Sequence, residues 1–168
     1  IIMMICLIGF MKRKDKILIH ETITSFIAMS VFLYLEIYLK YEIPTYIIAL
    51  CLLTILLNKF GGCLLMLYYK SKTYDRYLHA LGAFSFALLA YKTLIAFSGE
   101  IIESSVFKAT IVFSLGMALA GSFEISEYLS DRFRKTREQH GLKDTDFDLI
   151  ANFVGSVIAA ILAVVLVL

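Results

Sequence analysis

The chain has 168 residues, 60% hydrophobic and 18% charged, with a single proline and a net charge of +2. A mean hydropathy of +0.83 belongs to an integral membrane protein and excludes a soluble domain. The small charge excess, with no basic tract interleaved with aromatics, excludes nucleic acid as a partner. Cys6, Cys51 and Cys63 are odd in number, sit in apolar surroundings and lack CxxC spacing, so they read as small buried hydrophobes.

Taken in chain order, the apolar runs predict an all-α fold, a polytopic transmembrane helix bundle forming one domain over residues 1–168. About five full spans are expected beside a short or truncated N-terminal helix at 1–11. That first run, IIMMICLIGFM, is too short to cross a bilayer and lacks the basic leader and cleavage site of a signal peptide. After the charged loop KRKDK comes the first full span, 17–39, and Pro44 closes the turn that follows. The second, 46–69, is interrupted by Asn58, Lys59, Gly61 and Gly62; it is one kinked helix or a short span with an interfacial piece. The remaining spans are 77–97, 105–128 and 148–168. Gly116 with Ala120, and Ala151, Gly155 and Ala159, repeat small residues at a spacing of four, which lets helix backbones approach.

Lysine and arginine set an orientation. Four basic residues lie in 12–16, four in 58–76 and five in 129–147, thirteen of the sixteen. If 46–69 crosses once, these regions share one side, which the positive-inside rule makes cytoplasmic in a multi-pass protein of the cell membrane.

Acidic residues gather at the cytoplasmic ends of three spans. Glu124, Glu127 and Asp131 follow i, i+3, i+7 and share one face of a continuous helix. Asp144, Asp148 and Asn152 follow i, i+4, i+8 and form a second stripe if the last helix begins early enough. In the alternative, Asp146 caps that helix and Asp148 sits in its first turn, where the dipole favours negative charge. Asp75 and His79, i and i+4, share a face at the start of the third full span.

Three motifs, YDRYLHALGAF, LGMALAGSFEISEYLSD and QHGLKDTDFDLIANFVGSVIAA, together resemble the YjdF-like family of integral membrane proteins, a domain of unknown function distantly similar to VanZ-like proteins. The matching residues are Asp75, Leu78, His79, Glu124, Glu127, Asp131, Gln139, Gly141, Leu142, Asp144, Thr145, Asp148 and Gly155. Phe123 stands where that family usually has tryptophan. The resemblance implies a helical membrane bundle and assigns no reaction.

Carboxylates inside a membrane are costly and mark function by default. A divalent metal ion would balance them, held by His79, Glu124, Glu127, Asp144 and Asp148, with Asp75 and Asn152 orienting those ligands. Oxygen ligands suit Mg²⁺, Mn²⁺ or Ca²⁺, and a central His79 suits Zn²⁺ or Fe²⁺. Glu127 and Asp131 are candidate catalytic groups, and Arg132 and Arg137 could hold a phosphate. These residues point to an enzyme acting on a lipid or polyprenyl-phosphate headgroup. Three other readings stay open: carboxylates paired with arginines that only fix the loop, a proton-coupled transporter or permease, and a non-catalytic scaffold on anionic lipid.

Overall fold

The computed structural model describes residues 1–166 except 41, 72, 100, 101, 135, 137, 138 and 140. The described residues form helices and no strand: α1 (Ile2–Arg13), α2 (Lys16–Leu39), α3 (Thr45–Leu56), a π-helical segment Leu57–Leu64, α4 (Leu67–Lys70), α5 (Tyr74–Ser98), α6 (Ser105–Arg134) and α7 (Leu142–Val165). Among the described residues five helices are long and apolar enough to cross a membrane: Lys16–Leu39, Thr45–Leu64, Tyr74–Ser98, Ser105–Arg134 and Leu142–Val165. The chain packs as two compact units, Ile1–Asp75 and Arg76–Leu168.

In the first unit, the KRKDK loop contracts to a tight joint. Lys14 takes the left-handed conformation that ends α1, and Asp15 starts α2 by accepting a hydrogen bond from the Leu18 amide at 3.1 Å. α2 buries only Thr22. Phe26, Ile27, Val31, Tyr34, Ile37 and Tyr38 all face outward, an arrangement suited to hydrocarbon and costly in water.

The interrupted second span has a definite form. α3 winds straight into the π-helical turn Leu57–Leu64 and the two together are long and apolar enough for one crossing, while Met66, at φ 60°, separates α4. The continuous helix within the expected span 46–69 runs to Leu64. Side chains reach the backbone carbonyls at both ends of this π-helical segment, the later ones at a helix C-terminus that lacks further helical partners. The Tyr74 hydroxyl donates to the Leu57 carbonyl at 2.9 Å, and Arg13 donates to the carbonyls of Cys63 and Leu64 at 3.1 and 2.8 Å. Gly61 and Gly62 give the room: a Cβ at the first would meet the Tyr74 hydroxyl, and at the second the Tyr68 ring. Lys59, though buried, is paired with Glu21 of α2 at 3.0 Å.

In the second unit, α5, α6 and α7 pack through small residues. Gly116 of α6 faces Ser156 of α7 and Ala87 of α5, and Gly155 of α7 lies against the backbone of Ala80 on α5. Phe113 and Phe153 meet edge to face at 5.4 Å. Among the described residues, no other part of the chain lies within 4 Å of where a Cβ on Gly121 would be.

Three helices run further than the hydropathy pattern indicates. α5 starts at Tyr74 instead of 77, α6 ends at Arg134 instead of 128, and α7 starts at Leu142 instead of 148. Charged residues end an apolar stretch without ending a helix, and the Glu, Asp and Arg residues at these ends are tolerated in helical turns. α6, at 30 residues, is about 45 Å long, against a hydrocarbon core of about 30 Å.

Candidate metal centre on α5, α6 and α7

The early start of α7 decides how its carboxylates are used. Gly141, at φ 108°, precedes the helix, Asp144 falls in the first turn, and Asp148 lies one turn further in, buried at 3% exposure. Asp146 is therefore inside the helix and does not cap it. The i, i+4, i+8 stripe of Asp144, Asp148 and Asn152 lies on one continuous helix, with Asn152 buried as well. The corresponding stripe on α6 is continuous too, because Glu124, Glu127 and Asp131 all precede its end at Arg134.

His79 is where the three helices meet. It is buried in the second turn of α5, one turn past Asp75. The division between the two packing units falls in the first turn of α5, so Asp75 is carried by the same helix as His79. From α6, the buried Glu124 brings Oε1 to 3.5 Å from His79 Nδ1. From α7, Asn152 Nδ2 lies 3.3 Å from the same nitrogen. Phe123 sets its ring edge to face with the imidazole at 5.6 Å.

Nδ1 has two neighbours of opposite demand. As an acceptor it takes a hydrogen bond from the Asn152 amide; as an N–H it faces Glu124 Oε1 at 3.5 Å. The tautomer of His79 thus decides which helix it is tied to.

One oxygen each from Asp75 and Asp148, with one ring nitrogen of His79, lie within 4.8 Å of one another. Two hard oxygens and an imidazole at that separation can share one divalent ion, and the buried setting favours an ion that neutralises the carboxylates. Asp75, expected to orient His79, offers a ligand atom itself. Asn152, expected in the same role, has an atom within hydrogen-bond reach of the ring.

The remaining sequence-derived candidates lie on or beyond the same helix ends. Glu127 is half-buried one turn along α6 from Glu124, and Asp144 is half-buried one turn before Asp148. Asp131 accepts hydrogen bonds from the Thr136 hydroxyl at 2.6 Å and the Gln139 amide at 3.0 Å, so it ties down the chain that follows α6. Arg132 is exposed, and Arg137 lies outside the described residues.

Two features were missed in the sequence. The Phe123 ring on His79 is one, although its place next to Glu124 was a signal. The other is a cation over a ring: the Arg76 guanidinium carbon stands 4.0 Å from the centroid of Phe147. These residues adjoin Asp75 and Asp148, yet no periodicity pairs them.

A family model described as a predicted membrane protein, DUF2238, matches residues 1–167. No curated protein and no solved structure matches the chain.

Proposed function

We propose that this chain, which belongs to the DUF2238 family of predicted membrane proteins, holds a divalent cation between Asp75, His79 and Asp148 and uses it on a lipid or polyprenyl-phosphate headgroup. The observation that carries this reading is the convergence of three ligand atoms within 4.8 Å, two of them on buried residues, in a protein with five span-length helices. When bound, the ion would act as a Lewis acid toward a headgroup oxygen or activate a water.

The protein's own groups divide the remaining work. Asn152 and Glu124 compete for His79 Nδ1 and so set the ring's orientation and tautomer. Glu124, Glu127 and Asp144 are further oxygen ligands or proton acceptors on the approach, with Glu127 and Asp131 as the acid–base candidates. The concentration of Lys and Arg in three regions supports a cytoplasmic location for this end of the helices, in the cell membrane. The distant kinship with VanZ-like proteins rests on the same motifs and is proposed with it.

Metal analysis of protein purified in detergent tests the reading. One divalent ion per chain is expected, lost in His79→Ala and bound more weakly in Asp148→Asn. A wild-type protein without a stoichiometric divalent ion after incubation with Mg²⁺, Mn²⁺ or Zn²⁺ would sink it.

A second reading, proton-coupled transport, is favoured by the Lys59–Glu21 pair, since ionisable residues inside spans often line ion paths. Proton flux into liposomes carrying the protein, lost in Glu21→Gln, is its expected sign. No flux above that of empty liposomes removes it.

A further inference from the structure

We propose that Arg76 holds the phosphate group of the substrate beside the cation held by Asp75, His79 and Asp148, an inference that rests on the metal reading above. Arg76 follows Asp75 directly and precedes His79 by three positions, so on α5 it flanks the face that carries both. Its guanidinium reaches α7, where it stands 4.0 Å over Phe147, the residue before Asp148. Each of the two helices thus supplies cation ligands and, at the neighbouring position, one half of this pair.

The stacking matters for chemistry. An aromatic face attracts the guanidinium and leaves the N–H groups turned away from the ring available to oxygens. Arg76 Nε is buried and has no hydrogen-bond partner among the described residues. A buried donor in that condition is costly, and an oxygen anion presented edge-on relieves it. Tetrahedral phosphate suits this geometry, since two of its oxygens can meet the guanidinium fork while another faces a divalent ion. Arg132, by contrast, is exposed, and a basic residue in that loop is expected from topology alone.

A headgroup phosphate and a free phosphate present the same chemistry, so the test uses both. Purified protein is loaded with Mn²⁺ in a phosphate-free detergent, its metal content measured, and then titrated with inorganic phosphate and with short-chain phosphatidic acid. Wild type is expected to bind at least one of the two; binding of phosphatidic acid alone identifies a lipid source, and binding of inorganic phosphate alone a soluble one. Arg76→Gln should keep its Mn²⁺ while its phosphate affinity falls about tenfold or more, with partial recovery in Arg76→Lys. Phe147→Leu, which keeps the charge and removes the ring, should weaken binding about threefold to tenfold and covers the case in which Arg76→Gln does not fold. Metal-loaded wild type that binds neither probe, or an Arg76→Gln protein that binds as wild type does, overturns the role of Arg76 and leaves the metal reading standing. Wild type that takes up no Mn²⁺ overturns the metal reading, and this inference with it.

Discussion

Gly155 on α7 lies against the backbone carbonyl of Ala80 on α5, the residue after His79. Backbone meets backbone at this point, three residues beyond Asn152. The approach fixes how far α7 stands from α5, and hence whether Asp148 and Asn152 can reach the imidazole.

Any Cβ at Gly155 would collide with that carbonyl. Gly155→Val is expected to destabilise the protein by about 3 kcal/mol, at the upper end of overpacking, and to lower metal content with it. Gly121→Ala, at a helical position open on that side, should be neutral or stabilising by up to about 1 kcal/mol. Unfolding of both variants in detergent checks the pair, and equal effects would contradict the packing assigned here.

Metal affinity should be pH-dependent with a definite sign. Metal ligands bind in their deprotonated form and release protons on binding, so affinity falls as pH is lowered. Asp148→Asn keeps the shape and removes a charge; an affinity loss of about 10-fold to 100-fold is expected from calorimetric titration with Mn²⁺ or Zn²⁺.

The Lys59–Glu21 pair is buried on the lysine side, and its side chains are 10% and 29% exposed. Removing one partner strands the other. Lys59→Met should cost about 3 kcal/mol, and the double change Lys59→Met with Glu21→Leu should recover most of that. Additive losses in a double-mutant cycle would show that the two charges are not coupled.

Asp131 holds Thr136 and Gln139, so Asp131→Ala should release the chain after α6. Trypsin cleavage after the exposed Arg134 is expected to speed up severalfold in liposomes, with bound metal unchanged. Loss of the metal in this variant would instead place Asp131 in the metal centre.

Sequence alone determined an all-α protein with about five spans, because four of them are runs of about twenty apolar residues and the bilayer imposes that length; it left the form of 46–69 open. It also determined that Glu124, Glu127 and Asp131 share a face, and that Asp75 and His79 do, since the helical period alone sets which residues align. Tertiary structure decided which of those faces meet. Spacing ranks Glu124, Glu127, Asp144 and Asp148 alike as ligands; the packing of α5, α6 and α7 brings Glu124, Asp148 and Asn152 near His79. Asp148 is in the interior of α7 because that helix starts at Leu142, ahead of its apolar run. Hydropathy reads solvent preference residue by residue; the distance between two side chains on different helices depends on how their backbones pack.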